Sequence, residues 1–357
     1  MKLDLPVGTP VVLTNNEGDK VAWGLADDGP IAVRVLGRVI PKHLDVPALL
    51  MDRVHRADRL RTRLMPPSTN AYRIVNGAGD GLPGLVIDRY DSLAIVRVYA
   101  AAWEPWLDEV VAAITRLGWA EQVARRLGVK RVDDAQGLEP LKGGDPAELM
   151  VVEEHGMLLY VRPWDGQKTG LFLDHREHRR MVGQWAAGRQ VANLFAYNGG
   201  FSVAAALGGA SRVVTVDVAP EAVEDARMNF ELNGLDPKDY AFEVADVFSW
   251  EPTSPVDLLV VDPPSLARGR KNHTAARRAY RKLHARLGPF IPRDGLMATA
   301  SCTSWLDRET WSTVVEEGLR SGGDWSWLWR SDAPPDHPVA MGHGEGHYLK
   351  FGLLRRR

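Results

Sequence analysis

The chain has 357 residues, of which 45% are hydrophobic and 25% charged. At roughly 150 residues per domain this length predicts two or three domains, and the composition excludes disordered, collagen-like and small disulfide-stapled chains. A single cysteine, Cys302, excludes internal disulfides and cysteine-based zinc clusters. We expect neither a signal peptide nor an apolar run of the roughly 18 residues that span a bilayer, and therefore a cytoplasmic protein.

The net charge of −2 hides an uneven distribution of charge. Between Pro263 and Arg293 the chain has nine Lys or Arg and no Asp or Glu, and a smaller basic run between Arg53 and Arg63 contains Asp58 as its single acid. A solvated helix face is the simpler interpretation of a charged run, but proteins that bind phosphate backbones concentrate positive charge in the same way. The predicted RNA-binding side chains are Arg268, Arg270, Lys271, Arg277, Arg278, Arg281 and Lys282.

The first half of the chain is predicted to be β-rich. Residues 1 to about 50 contain short β-segments separated by Gly and Pro turns, which indicate a small β-barrel. A helix with the smaller basic run follows and should stop at Met65-Pro66-Pro67. Residues 71 to about 165 have an α+β pattern, with a hairpin predicted at Gly79–Gly84 and an amphipathic helix over 104–127. The hairpin glycines suit a turn better than a phosphate loop, because no helix start follows them.

From about residue 176 onward, strand-like and helix-like segments alternate. This rhythm predicts a doubly wound, mostly parallel, Rossmann-like α/β sheet. The tryptophans of Trp325–Trp329 alternate, so they should share a face and pack in the core, and this segment should pair antiparallel with His347–Phe351 at one edge. The predicted parallel strands cover 191–196, 212–217, a segment ending at Asp246, 256–261 and 295–300.

Ligands of such a sheet bind beyond the carboxyl ends of its strands, and two features there indicate a nucleoside-bearing cofactor. The small residues of Tyr197–Gly200 let a ligand approach the backbone at the start of a helix. Asp217, at the next strand end, is placed to accept hydrogen bonds from ribose hydroxyls. These features fit either a dinucleotide or S-adenosylmethionine, although the full G-x-G-x-x-G fingerprint of dinucleotide sites is missing. The alternative is a tight turn and a strand-end acid without a ligand.

Two further strand ends favour methyl transfer to a pyrimidine. The two prolines of Asp262-Pro263-Pro264 stiffen the loop, so that Asp262 can hydrogen-bond a planar amine or ring nitrogen. Cys302 follows the next strand, beside the basic segment. A lone cysteine is usually an inert buried thiol, but carbon 5 of cytosine becomes nucleophilic only after a thiolate adds to carbon 6. Methylation of an amine or an oxygen needs no such residue.

Motifs spread over almost the whole chain support a resemblance to a known family. They are Tyr72–Val75 with Asp80–Gly84, Glu153–Gly156, Lys168–Arg176, Asn193–Ser202, Asp262–Pro264, Ser301–Cys302 and Asp336–Pro338. In these stretches the sequence resembles the PUA-containing class I methyltransferases that modify carbon 5 of cytosine in large-subunit (23S) ribosomal RNA.

The resemblance implies an N-terminal PUA-like barrel (1–66), a central α+β domain with the Glu-Glu-His-Gly motif (70–170) and a methyltransferase domain (176–357). It also implies S-adenosylmethionine as cofactor, ribosomal RNA as partner and Cys302 as nucleophile, with Asp262 beside it. Lys168, Thr169 and Arg176 would border the cofactor pocket. The other implied cofactor contacts are Asn198, Gly199, Gly200, Asp217, Val218, Asp246, Val247, Asp262 and Pro263.

Other functions remain open at this point. A guanine-N7 methyltransferase of ribosomal RNA has a similar Thr169–Arg176 stretch and needs no cysteine, since nitrogen 7 is already nucleophilic. A non-catalytic RNA-binding assembly factor could keep the same fold, whereas a small-molecule methyltransferase would leave the barrel and the basic helix without a purpose. A metal site at His343, Glu345 and His347 is less plausible than loop and strand positions, so no metal is assigned. A homodimer is possible.

Overall fold

The computed structural model describes residues 4–129, 132–133, 135–266, 273–304 and 306–357. The chain divides into two compact units. The first contains Met1–Gly156, Val161–Leu173 and Pro335–His343, and the second contains Met157–Tyr160, Asp174–Pro334 and Gly344–Arg357. In these described ranges, no helix combines the length and apolar character needed to cross a membrane.

The first unit begins with a small antiparallel sheet of strands β1 (Pro10–Thr14), β2 (Lys20–Ala26) and β3 (Val33–Gly37), ordered β1-β2-β3. The sequence predicted a small β-barrel here, and within the described residues this part of the chain forms a three-stranded sheet. Its inner side chains, such as Trp23 and Leu25, join the core of the following helix and sheet instead of being covered by further strands.

Helix α1 (Val46–Leu64) follows the small sheet. It starts where the carboxylate of Asp45 accepts a hydrogen bond from the Ala48 backbone N–H at 2.9 Å. It ends before Met65-Pro66, as predicted, because proline cannot continue a helix.

The central part of the first unit is a five-stranded sheet, ordered β4-β5-β6-β7-β8. The predicted hairpin is confirmed, since β4 and β5 are antiparallel and the 3₁₀ turn Gly77–Asp80 joins them. The bounds are β4 (Ala71–Asn76), β5 (Leu85–Tyr90), β6 (Leu93–Val98), α2 (Leu107–Thr115), β7 (Gln122–Arg126) and β8 (Leu138–Lys142), followed by β9 (Met150–Glu154). Strand β10 (Met157–Val161) comes after the turn at His155-Gly156, and its residues Met157–Tyr160 belong to the second unit.

The predicted helix over 104–127 is wrong beyond Thr115. Gly118 has a φ of 84°, which takes the chain out of the helix. The following Gln122–Arg126 segment pairs parallel with β6 and buries Val123 and Ala124. Tertiary pairing of this short segment therefore prevails over its helical pattern.

One hydrophobic core holds the first unit together. It contains Trp23 of β2, Val54 of α1, Val96 of β6 and Trp103, all 4% exposed or less. The predicted N-terminal and central domains therefore share a core in this structure, and their division into two domains stays a prediction.

The smaller basic run on α1 has two kinds of arginine. Arg61 is fully buried, and its guanidinium binds both oxygens of Asp80, at 2.6 and 2.7 Å, and the carbonyl of Asp336 at 2.9 Å. Arg53 donates to the carbonyls of Gly81 and Leu36. These two arginines stabilise the fold, whereas Arg56, Arg59 and Arg63 are exposed.

The second unit contains a seven-stranded sheet, ordered β13-β12-β11-β14-β15-β17-β16. Strands β11 to β15 are parallel and β16 and β17 are antiparallel, so the predicted Rossmann-like sheet is confirmed. The bounds are α3 (Arg176–Gln184), β11 (Gln190–Leu194), α4 (Gly200–Leu207), β12 (Arg212–Asp217), α5 (Pro220–Leu232), β13 (Ala241–Val244), β14 (Leu258–Val261), α6 (His273–Leu287), β15 (Leu296–Ser301), α7 (Arg308–Leu319), β16 (Trp325–Ser331) and β17 (Lys350–Arg356).

The chain order of the strands reverses direction at the centre of this sheet. β11 pairs with β12 on one side and with β14 on the other. In open α/β sheets the crevice outside the carboxyl ends of the strands at such a point is where ligands bind. We therefore expect a ligand to bind at the ends of β11, β12 and β14.

The antiparallel edge pair is confirmed, but its details differ from the prediction. β17 starts at Lys350 and pairs with both β15 and β16. The register of β16 shifts between Trp327 and Trp329, so the tryptophans do not share one core-facing surface. Trp325 and Trp327 pack against the core, whereas Trp329 is 40% exposed.

Candidate active site

The loop after β11 has a tight backbone. Phe195, Tyr197 and Gly199 all have positive φ, at 59°, 51° and 75°. A Cβ on Gly199 would lie 2.6 Å from the Ala226 Cβ, so glycine is required at this close approach. The loop therefore brings unobstructed backbone to the start of α4, where helix N–H groups favour a polar ligand.

The carboxylate of Asp217 joins two of the strand-end loops. Its Oδ2 accepts a hydrogen bond from the Tyr197 N–H at 2.8 Å, and its Oδ1 accepts one from the Ala219 N–H at 3.0 Å. Each carboxylate oxygen can accept another hydrogen bond, so the group can also receive ribose hydroxyls. The next residue, Val218, is 67% exposed and offers an apolar surface beside it.

The segment after β13 adds an acid and an aromatic ring. Asp246 is exposed and its Oδ1 accepts from the Phe248 N–H at 2.9 Å. Phe248 is 49% exposed and meets the Phe195 ring edge-on, with centroids 5.7 Å apart. The side chain of Val247, in contrast, belongs to the hydrophobic core, so it is not available for contact with a ligand.

Asp262, after β14, lies at one end of a chain of polar contacts. Its Oδ2 is 3.4 Å from His175 Nε2, and His175 Nδ1 is 2.9 Å from His178 Nδ1. His178 Nε2 is 3.0 Å from the Ser331 hydroxyl. Both histidines are at most 2% exposed, and burial holds the pKa of His178 well below its usual value. His178 is therefore uncharged at neutral pH.

Cys302 is half-buried beyond the end of β15. Tyr280 lies close enough that a charge on Cys302 raises the pKa of its hydroxyl, which is 3.1 Å from the Thr303 Oγ1. Burial raises the pKa of Tyr280 to about 12. Lys350, which is 1% exposed, donates to the Thr303 carbonyl at 2.6 Å. Cys302 thus has a neutral hydroxyl and a buried ammonium group nearby.

The residues predicted to border the cofactor pocket make structural contacts of their own. Thr169 Oγ1 donates to Asp88 Oδ2 at 2.8 Å, and Lys168 Nζ lies 4.4 Å from the centroid of the Phe172 ring; all four belong to the first unit. Arg176 begins α3 in the second unit and is fully buried. Their predicted contacts with the cofactor stay predictions.

Helix α6 carries the described part of the basic run. Its inner face buries Tyr280 and His284, while its outer face exposes four basic side chains at helical spacing, Arg277, Arg278, Arg281 and Lys282. The predicted RNA-binding residues Arg268, Arg270 and Lys271 lie outside the described residues. In the part of the chain that the structure covers, no three His, Cys, Asp or Glu side chains are grouped as metal ligands.

Sequence reasoning missed His175, His178, Tyr280 and Lys350. The spacing of the two histidines, one helical turn apart, was a readable signal for a pair on one helix face. A lysine between Leu349 and Phe351 in an apolar segment was a second signal, because lysine is rarely buried unless its charge is paired.

A family model for S-adenosylmethionine-dependent methyltransferases matches residues 88–345 of this chain. The chain is 36% identical, over 361 residues, to a ribosomal RNA large subunit methyltransferase of Deinococcus radiodurans, and the match covers 94% of this chain and 86% of that protein. It is 30% identical to ribosomal RNA large subunit methyltransferase I of Escherichia coli (strain SMS-3-5 / SECEC), covering 96% of this chain and 89% of the relative.

Solved structures have the same fold. A Streptococcus mutans protein described as a candidate SAM-dependent methyltransferase superposes with a TM-score of 0.85 at 24% identity, covering 99% of this chain and 93% of the other. A candidate methyltransferase crystallised with S-adenosylhomocysteine gives 0.84 at 24% identity, covering 99% and 92%. At this level of identity the likeness concerns the fold.

Proposed function

Because this chain belongs to the family of S-adenosylmethionine-dependent methyltransferases, we propose that it forms 5-methylcytidine in large-subunit ribosomal RNA with Cys302 as nucleophile. The names of its relatives support ribosomal RNA as the substrate. One observation carries the choice of base, namely that the single cysteine of the chain is half-buried at the ligand edge of the sheet. The predicted cytoplasmic location and homodimer remain predictions.

The strand-end residues fit S-adenosylmethionine. The carboxylate of Asp217 would hold the ribose hydroxyls, and Asp246 the adenine amine. The tight backbone at Asn198, Gly199 and Gly200 would hold the polar end of the molecule. When bound, the cofactor supplies an electrophilic methyl group on a sulfonium.

Cys302 opens the proposed reaction. The target cytosine must leave its stack, since its reacting carbon is otherwise inaccessible. The Cys302 thiolate then adds to carbon 6 and forms a carbon–sulfur bond, which makes carbon 5 nucleophilic. Carbon 5 would then take the methyl group that the cofactor supplies and lose its proton to solvent. The bond between carbon 6 and the Cys302 sulfur would then break, which returns the thiolate and releases the proton on nitrogen 3 to Asp262.

Asp262 would protonate or hydrogen-bond the cytosine ring. In this proposal its carboxyl group donates a hydrogen bond or a proton to nitrogen 3, which absorbs the electron pair displaced when sulfur adds to carbon 6. The 3.4 Å separation of its Oδ2 from His175 Nε2 gives it a neighbour with which to share that proton. Rigid Pro263-Pro264 keeps the carboxyl group at the edge of the sheet.

Product identification tests this function against its nearest alternative. Ribosomal RNA from cells with and without this gene would be digested to oligonucleotides, and the modified nucleosides would be identified and located by mass spectrometry. We expect 5-methylcytidine to be missing at one position in cells that lack the gene. Loss of 7-methylguanosine instead would establish the guanine-N7 alternative, and no loss of either would favour an assembly factor.

Replacing Asp217 with asparagine should weaken cofactor binding about tenfold to a hundredfold, because ribose hydroxyls lose a charged acceptor. Calorimetric titration of the purified protein with S-adenosylmethionine measures this affinity. Asp239→Asn, an exposed position before β13, is the matched control and should bind normally. Equal affinity of the two variants would remove Asp217 from the cofactor site.

A further inference from the structure

We propose that Lys350 is a positioning residue that keeps Cys302 in the thiolate form by holding a buried ammonium group beside it. The inference rests on the proposed function in treating Cys302 as the nucleophile. It concerns the state of the thiol before any RNA binds.

Lys350 lies next to both residues that flank Cys302 in the sequence, Ser301 and Thr303. Lys350 is the first residue of β17, and it lies opposite Ser301, the last residue of β15, in the antiparallel register. Its Nζ donates to the carbonyl of Thr303 at 2.6 Å and to that of Tyr348 at 2.8 Å. The backbone on each side of Cys302 is therefore tied to this lysine.

Lys350 is a buried cation whose described hydrogen-bond partners are neutral carbonyls. Its side chain is 1% exposed, and burial lowers its pKa to about 8, while the charge of Cys302 acts to raise it. It is still protonated at pH 7. A buried charge is costly unless an opposite charge compensates it, so the ammonium group stabilises an anion in its surroundings.

The two carboxylates whose charges reach Lys350 are engaged elsewhere. Asp307 caps α7 by accepting from the Thr310 N–H at 2.7 Å. Asp332 pairs with Arg308, and its Oδ2 lies 3.6 Å from His347 Nδ1. Neither forms an ion pair with Lys350 among the described residues. Of the described groups whose charges raise the pKa of Lys350, Cys302 has the largest effect, so its thiolate is the anion that compensates the ammonium group.

Two described groups that share these surroundings, Tyr280 and Asp262, do not supply this charge. Tyr280, from α6, has a pKa raised to about 12 by burial and is neutral at pH 7. The charges of both Cys302 and Asp262 reach Tyr280, and an ionised Asp262 would oppose thiolate formation. Lys350 supplies the positive charge that lowers the cost of the thiolate.

Alkylation of the folded protein by iodoacetamide, followed by mass spectrometry across pH, tests the proposal, because one cysteine means one reacting thiol. Lys350→Met should react about tenfold more slowly than the unmodified protein at pH 7, since a loss of one pH unit in thiolate formation is tenfold. Lys350→Arg keeps the charge and should keep the fast rate. Lys238→Met, at an exposed lysine before β13 on the far side of the sheet, is the matched control and should react normally.

Coincident rate–pH profiles of Lys350→Met and the unmodified protein would overturn the proposal, as would equal losses in Lys350→Met and Lys350→Arg. Calorimetry with S-adenosylhomocysteine verifies that the variants fold. The unmodified protein gives an independent arm that needs no variant: folded, it should reach half-maximal rate at a lower pH than in urea, and coincidence of the two profiles also overturns the proposal. No RNA is present in this assay, so its outcome is separate from the identity of the methylated base.

Discussion

Replacing Cys302 with serine should abolish methylation while leaving S-adenosylmethionine binding intact. A hydroxyl is far less ionised than a thiol at neutral pH and cannot add to carbon 6, so turnover should fall by about three orders of magnitude or more, as for other lost nucleophiles. The substitution is small and lies at a half-buried position, so we expect the fold to survive it. Transfer of a labelled methyl group to a ribosomal RNA fragment measures the activity, and calorimetry measures cofactor binding.

A fluorinated substrate makes the same test covalent. With fluorine on carbon 5 of the target cytosine, no proton can leave after methylation, so the carbon–sulfur bond cannot break. The unmodified protein should remain attached to this RNA on a denaturing gel, and Cys302→Ser should not. Methylation by Cys302→Ser within about tenfold of the unmodified rate, or a missing adduct with the unmodified protein, would contradict the cysteine mechanism and favour the guanine-N7 alternative.

The sheet, and with it the strand ends that form the candidate site, could be predicted because parallel strands follow local patterns. Buried parallel strands are short apolar runs followed by turns, and the carboxyl ends of such strands meet at one edge. That rule alone is enough to predict that Asp217, Asp262 and Cys302 lie at the same edge of the sheet. The strand bounds differed by only a few residues, as at Val244, where the segment predicted to end at Asp246 stops earlier.

The groups that adjust the chemistry could not be predicted in the same way. Lys350 contacts Thr303 across 47 residues, because β17 inserts antiparallel between β15 and β16. His175 likewise lies in the 3₁₀ turn before α3, and its contact with Asp262 joins this turn to the end of β14. Such contacts depend on strand order and register, which single-sequence periodicity does not specify.

The pattern of charges along the sequence was a poor guide to RNA-binding residues, because neighbouring residues in the sequence do not show whether an arginine is buried or exposed. Arg61 is in the same basic run as Arg56, yet it is fully buried against Asp80, whereas Arg56 is exposed. The apolar residues around α6 are more informative, since they fix which face is buried and leave the basic side chains outside.

Neutralising the outer face of α6 should weaken RNA binding strongly. Arg277, Arg278 and Arg281 are exposed on this face, which makes them available for phosphate contacts. Changing all three to glutamine should reduce the slope of log affinity against log salt by about one for each lost phosphate contact. At low salt the affinity should fall by about two orders of magnitude. Filter binding of a ribosomal RNA fragment at several salt concentrations measures both quantities.

The change of net charge needs its own control, since any loss of three positive charges lowers affinity for RNA at long range. Lys238, Arg320 and Arg355 are exposed outside α6, and replacing them with glutamine removes the same charge. This control should lower affinity only slightly and leave the salt slope unchanged, because bound phosphates and not total charge determine the number of released counterions. Equal slopes for the two triple variants would mean that α6 does not touch the RNA backbone, and the RNA-binding surface would have to be sought elsewhere, first among the exposed arginines of α1.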